Sequence, residues 1–293
     1  MKIALTGASG FIGSYIARAA ARHGHEVVAL VRESSKREHI EDVISSFVIG
    51  SHDDKKAQDK LLDGADVVIH DSFDWKVLKE GSLADHLRVN LESSIELLRK
   101  SKDKHFIYMS SIAVHHHMHD KWQGIIDEAH PTRPGSFYGA CKAAVEAHLW
   151  AENASSGQCF SSIRPCAVYG IDPSIKRSIG WPIIETIKNG KPYERLGGGK
   201  FVHVVDVADA TIACIDNENA SPSVYNLVDC YARWSDWALV IANELGVEAT
   251  IDNSSPTAPA NSFDTTDVNR DLDVMLNRGV EGIQTYIKEL VNA

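Results

Sequence analysis

Tyr138 and Lys142 stand four residues apart in Tyr138-Gly139-Ala140-Cys141-Lys142, which opens a helical pattern. On a helix that spacing puts both side chains on one face, one turn apart. A phenol is a poor acid or base at neutrality, with an ordinary pKa near ~10. An ammonium beside it stabilises the phenolate, so the pair can exchange a proton with a hydroxyl or a carbonyl. Tyr and Lys recur at this spacing on many helices, so the pattern alone is weak. A second signal lies upstream, where the apolar run Lys104–Ser110 ends in the hydroxyls Ser110 and Ser111. A strand there carries a hydroxyl to the carboxyl edge of a parallel sheet, where α/β proteins hold their ligands.

The first residues supply a place for such a ligand. Lys2–Thr6 reads as a strand and runs into Thr6-Gly7-Ala8-Ser9-Gly10-Phe11-Ile12-Gly13 ahead of a helical stretch. Glycines at 7, 10 and 13 allow a tight turn, close approach of backbone to a pyrophosphate, and packing of the helix on the strand. The helix N-terminus then turns N–H groups and the positive end of its dipole toward the phosphates. A dinucleotide site is expected here. NAD sites carry a carboxylate for the ribose 2′-hydroxyl at the end of the second strand, where this chain has Val31 and then Arg32. A guanidinium pairs with a 2′-phosphate, so NADP is favoured over NAD, with Glu33 left as a residue that could reach an unphosphorylated ribose.

These residues need a frame. Short apolar runs at Lys2–Thr6, Glu26–Val31, Ser46–Ile49, Asp66–His70, Lys104–Ser110 and Phe160–Arg164 alternate with helical patterns at Phe11–His23, Lys55–Leu62, Leu83–Lys100 and Tyr138–Ala154. That alternation predicts an α/β, Rossmann-like, doubly wound parallel sheet over residues 1–170. A smaller C-terminal substrate-binding lobe is expected over 171–293, with some segments returning to the first domain. Helical patterns there fall at Ile179–Asn189, Val205–Ile215, Ser235–Leu245 and Glu281–Val291, and Asn253–Ser262 reads as a loop.

Composition sets bounds. The 293 residues are 44% hydrophobic and 24% charged, which suits a globular chain. Forty acidic against thirty basic residues give a net charge of −10, and no basic run offsets it, so nucleic acid is an unsuitable partner. No apolar stretch reaches the ~18 residues of a membrane span. The apolar part of Met1–Thr6 is too short for a secretion signal. Five cysteines without a CxxC pair read as reduced thiols. The expectation is a cytoplasmic protein acting on a small molecule. His115-His116-His117-Met118-His119 has no accompanying metal-ligand spacing and reads as a polar loop, so no metal is expected.

The motifs together resemble the extended short-chain dehydrogenase/reductase superfamily, also called the NAD-dependent epimerase/dehydratase family. Those that carry the resemblance are TGASGFIG at 6–13, RVN at 88–90, YMSS at 108–111, YGACK at 138–142, IRPCAVYG at 163–170, FVHVVDVADA at 201–210 and YNLVD at 225–229. The resemblance implies that Ser111, rather than Ser110, hydrogen-bonds the reacting oxygen. It makes Tyr138 the acid/base, and Lys142 the residue that binds the nicotinamide ribose and tunes Tyr138. It places Gly7, Gly10, Phe11, Ile12 and Gly13 on the dinucleotide phosphates, and Pro165 and Cys166 near the nicotinamide. It also suggests a homodimer formed by two helices from each subunit, with Leu83–Lys100 and Tyr138–Ala154 as the candidate stretches.

Departures from the family pattern bear on the substrate. The small apolar run usual after the fourth strand reads His70-Asp71-Ser72-Phe73-Asp74-Trp75, which makes Ser72 and Phe73 substrate candidates. Ser51 replaces the Asp that approaches adenine, leaving Asp53 and Asp54 close by. Ile112 and Ala113 stand where dehydratases place Asp-Glu. The arginine that holds a sugar nucleotide's diphosphate is missing, with Arg195 and Lys200 the remaining cations. His115, Trp122 and Trp181 are further pocket candidates. The reading is an oxidoreductase moving hydride between NADP(H) and a carbonyl or secondary alcohol of a small polar, sugar-like substrate. The alternative is a sugar or nucleotide-sugar epimerase with tightly bound nicotinamide, and a non-catalytic NADP sensor ranks last.

Overall fold

The structure is a computed structural model that describes residues 1–116, 118 and 120–293. His117 and His119 of the histidine-rich segment lie outside the described residues. The strands are β1 (Lys2–Thr6), β2 (Glu26–Val31), β3 (Ser46–Ile49), β4 (Val67–His70), β5 (His105–Met109), β6 (Ile125–Ile126), β7 (Phe160–Pro165), β8 (Ala167–Tyr169), β9 (Gly198–His203), β10 (Ser223–Leu227), β11 (Cys230–Arg233) and β12 (Ser262–Phe263). Seven of them form one parallel sheet in the order β10-β7-β5-β4-β1-β2-β3. The order reverses between β1 and β4, the switch point at which such sheets open a crevice beyond their carboxyl ends.

Side chains alternate across this sheet. Ile3 and Leu5 of β1 face α1 (Phe11–Arg22) in one core cluster, while Ala4 faces the other layer. That second layer holds α2 (Lys55–Leu62), α3 (Trp75–Glu80), α4 (Leu83–His86), α5 (Ser93–Lys100) and α6 (Phe137–Ser156), of which α2, α5 and α6 supply Leu61, Leu97 and Val145 to its core. Burial on both faces explains why β1, β2 and β4 read as unbroken apolar runs.

The expected single helix over Leu83–Lys100 is interrupted. Between α4 and α5 the backbone runs as a π-helical segment, Leu87–Glu92. The wider turn is held by side chains that take up its carbonyls: His52 Nε2 donates to Val89 O at 2.9 Å, the Ser93 hydroxyl also donates to Val89 O, and Ser94 donates to Asn90 O at 2.8 Å. Such inserted turns re-aim the residues that follow.

The remaining helices are α7 (Trp181–Lys188), α8 (Val204–Ala213), α9 (Trp234–Leu245), α10 (Thr266–Leu272) and α11 (Gly279–Asn292). A three-stranded sheet, β11-β9-β8, packs with α7, α9 and α11 around Tyr169, Phe201, Trp237 and Tyr286 to form the smaller lobe. Several segments from beyond residue 171 belong with the main sheet instead, among them α10, which adds Val268 and Leu272 to its first core cluster. β10 extends it beside β7, and α8 packs with α1 in its first core cluster. The β6–β12 ribbon joins the loop after β5 to the chain after α9.

Candidate active site

The turn between β1 and α1 is built by missing side chains. Gly7 has a φ of +78°, and its carbonyl accepts the Gly10 N–H at 2.8 Å. A Cβ on Gly13 would lie 2.2 Å from that carbonyl, so only glycine lets α1 start so close to the turn. Gly10 stands at the N-cap of α1 without a side-chain cap, which leaves the first-turn N–H groups of Phe11 and Ile12 without a side-chain acceptor. This backbone suits a pyrophosphate.

Across the switch point, β5 ends at Met109, and Ser111 caps the short turn Ile112–His115 by accepting the Ala113 N–H at 3.2 Å. Helix α6 approaches that turn through Gly139, where a Cβ would lie 2.4 Å from Ala113 O. The close approach sets the Tyr138 hydroxyl beside Ser111, whose hydroxyl favours the phenolate form. Ser111 Oγ also lies 3.5 Å from the Pro165 carbonyl, so Pro165 borders the same place. Lys142 is buried one turn further along α6, and its Nζ donates to Met109 O at 2.6 Å. The ammonium lies 4.6 Å from the Tyr108 ring centre and 5.7 Å from that of Tyr138.

The expected lowering of the phenol by Lys142 is not found in this state. Burial pushes Tyr138 up to about 12, with the neighbouring Ser111 hydroxyl opposing the rise and Asp71 adding to it. Burial likewise pulls Lys142 down to about 8, against the attraction of Asp71. Tyr138 is therefore a protonated phenol over the neutral range.

The segment after β4 closes the site from the other side. Its backbone is pinned twice: the Ser72 N–H donates to Thr6 Oγ1 at 3.1 Å, and Asn90 clamps Asp74 by accepting its N–H at 2.7 Å and donating to its carbonyl at 3.1 Å. Two aromatic side chains are thereby held against the phenol. Trp75 stacks on the Tyr138 ring at 4.6 Å and 28°, and Phe73 meets it edge-on at 5.0 Å. His70 joins this segment to the glycine turn, its Nδ1 2.7 Å from Thr6 Oγ1 and its Nε2 2.8 Å from Ser94 Oγ. Burial holds it well below the ordinary histidine range, so the bridge is made by a neutral ring.

Other residues singled out in the sequence fall in different surroundings. Arg32 follows β2 and reaches Asp74 at 3.4 Å, with its own side chain largely exposed. Asp53 is held by Arg88 at 2.7 Å and by the Ser51 hydroxyl. Cys166 begins the passage into β8, with its N–H on Leu227 O, and burial pushes its thiol well up. His115 is buried away from the phenol, with Nε2 2.9 Å from the Arg164 guanidinium. Arg164 in turn pairs with buried Glu146 at 2.7 Å. Burial and Arg164 push His115 down to about 4. Trp181 starts α7 and packs on the core of the smaller lobe. The Trp122 indole donates to Asp127 at 2.7 Å, and Arg195 lies 3.7 Å over the Trp234 ring. Among the described residues no three His, Cys, Asp or Glu side chains group as metal ligands. All five cysteines are free thiols.

Two residues of the site went unassigned in the sequence. Asp71 carries an acid into the corner between Gly7 and Lys142, and Trp75 covers the phenol. Both lie in the run whose polar and aromatic character departs from the family pattern.

A parallel sheet opened by a glycine turn, with a phenol and an ammonium at its switch point, defines a Rossmann-type dinucleotide fold. The chain belongs to the NAD dependent epimerase/dehydratase family, whose profile matches residues 3–227. Divinyl chlorophyllide a 8-vinyl-reductase of rice is 24% identical over 238 residues, covering 76% of this chain and 53% of that protein. The chain thus spans about half the length of that relative. A ketoreductase of Aspergillus fumigatus is 24% identical over 287 residues, covering 85% of this chain and 86% of the other. Among solved structures, UDP-glucose 4-epimerase from Thermotoga maritima, determined with UDP-glucose, superposes with a TM-score of 0.82 at 20% identity, covering 100% and 98% of the two chains. That likeness establishes the fold.

Proposed function

We propose that this chain is an oxidoreductase that moves hydride between NADP(H) and a carbonyl or secondary alcohol of a small polar substrate, with Tyr138 as acid/base. The observation that carries this reading is the convergence of Ser111, Tyr138 and buried Lys142 beside the glycine turn.

The backbone of Gly7 to Gly13 would hold the pyrophosphate, and Lys142, Pro165 and Cys166 would border the nicotinamide end. The nicotinamide, when bound, supplies or accepts the hydride. Ser111 orients the carbonyl oxygen through its hydroxyl. Tyr138 then gives its Oη proton to that oxygen, and the Lys142 ammonium stabilises the phenolate left behind. Because burial keeps the phenol protonated, the resting site is set for carbonyl reduction. Phe73 and Ser72 line the approach to the phenol.

Arg32 supports NADP. Its pair with Asp74 is long and the guanidinium itself is largely exposed, so it can turn to a 2′-phosphate. A homodimer and a cytoplasmic setting complete the reading. Leu83, Leu87 and Trp150 expose apolar surface on the two stretches expected to pair. No helix among the described residues is long and apolar enough to cross a membrane.

The test is NADPH oxidation across a panel of small ketones and aldehydes. Wild type should consume NADPH stoichiometrically with a carbonyl. Tyr138→Phe should keep dinucleotide binding and lose about 10²–10⁴-fold in turnover. Epimerisation without net NADPH consumption would overturn the assignment.

A further inference from the structure

We propose that Asp71 is the proton-binding group of the dinucleotide site, its carboxyl taking up one proton from solvent when a pyrophosphate settles on the glycine turn. This rests on the dinucleotide reading above and adds to it a linkage between cofactor affinity and pH.

The geometry starts at the end of β4, where Asp71 follows His70 directly. Its backbone carbonyl carbon and Oδ2 lie 3.0 and 3.1 Å from the point a Cβ on Gly7 would occupy, so the carboxyl reaches the wall of the glycine turn. The Gly13 N–H of α1 favours its charged form. The carboxyl therefore stands beside the glycine turn that leads into α1, next to the place a phosphate would take.

The charges around it are few. Lys142 and Tyr138 of α6 face Asp71, and α1 offers only its N–H. Lys142 is shared in turn with His70 of β4, the Tyr108 ring of β5, and Cys141 and Glu146 of α6. None of these is a second cation. When a diphosphate arrives, one buried ammonium faces the carboxylate and the phosphate charges together. Like charges at such separations in a half-buried corner repel strongly. A proton on Asp71 removes the repulsion, and the resulting carboxylic acid can donate to the neighbouring phosphate oxygen. Burial already raises the Asp71 carboxyl to about 7, against the pull of Lys142 and the Gly13 N–H, so the proton is available near neutrality.

Calorimetric titration of the full chain with NAD⁺ tests the proposal, because NAD⁺ has no 2′-phosphate of its own to titrate. Titrations above neutrality in two buffers of different ionisation enthalpy should show uptake approaching one proton per NAD⁺ bound. Over the same range the apparent Kd should rise about tenfold per pH unit. Asp71→Asn, near-isosteric and uncharged, should bind NAD⁺ with no proton uptake and a Kd that does not change with pH. Uptake that persists in Asp71→Asn would place the proton on another group and overturn the proposal. Should that variant not fold, the wild-type series decides alone: a Kd independent of pH overturns the proposal and leaves the dinucleotide reading standing. Absence of NAD⁺ binding at every pH sinks the dinucleotide reading, and this inference with it.

Discussion

The turn after β1 and the segment after β4 lie side by side at the switch point and are built in opposite ways. The first works by leaving side chains out: Gly7 adopts a left-handed backbone and Gly13 clears space against a carbonyl. The second works by crowding them in, with an acid and two aromatic rings within five residues of β4 and a clamping asparagine brought in from the π-helical segment. A backbone cradle reads only what all its ligands share, a phosphate. On the proposed reading the crowded segment sets the charge beside that phosphate and the shape presented to the phenol.

The contrast can be broken at four places. Gly13→Val should have the largest effect, because its Cβ meets the Gly7 carbonyl at 2.2 Å. Dinucleotide binding should disappear in a fluorescence titration, with a stability loss of about 3 kcal/mol or more in urea. Retained affinity would mean that the turn is not the cradle.

His70→Ala should come next, costing about 2–3 kcal/mol by leaving Thr6 and Ser94 without their buried partner. The same bridge gives an acid dependence. The His70 pKa is depressed on folding, so its contribution is present above the ordinary value of 6.5 and is lost as pH falls below it. The thermal midpoint of wild type should fall over that range, and the contribution of His70 to the fall should vanish in the variant.

Arg32→Ala should reduce the preference for NADPH over NADH by about tenfold, read as the ratio of kcat/KM values. An unchanged ratio would move 2′-phosphate recognition elsewhere. Trp75→Ala should have the smallest effect, about 1 kcal/mol in stability for one stacked pair, with dinucleotide affinity held within about twofold. A larger drop in affinity would merge the two regions into one functional unit.

Much of the fold was legible because physics repeats it. β1, β2 and β3 fall where continuous apolar runs place them, and the glycine spacing marks the cradle. Tyr138 and Lys142 were singled out by helical spacing together with the family resemblance, and the resemblance chose Ser111 over Ser110 after the apolar strand. What was missed has causes of its own. The strands β6, β8, β11 and β12 are two to four residues long, too short for any period to show. The π-helical segment arises from His52, distant in sequence, donating to Val89 O, which no local pattern records. That burial lifts Tyr138 could not be read from spacing, because burial is a tertiary property. Asp71 had a visible signal, a carboxylate where an apolar strand should end, but its meaning needed the glycine turn beside it.

The indole on the phenol has a consequence for traffic through the site. One face of the Tyr138 ring is already occupied at rest by a side chain that is itself half open to water. Whatever reaches that face must first lift the indole away, giving up about 0.5–1.5 kcal/mol of ring contact. On the proposed reading of Tyr138 as the acid, the same contact is regained on departure and the indole again covers one face of the phenol.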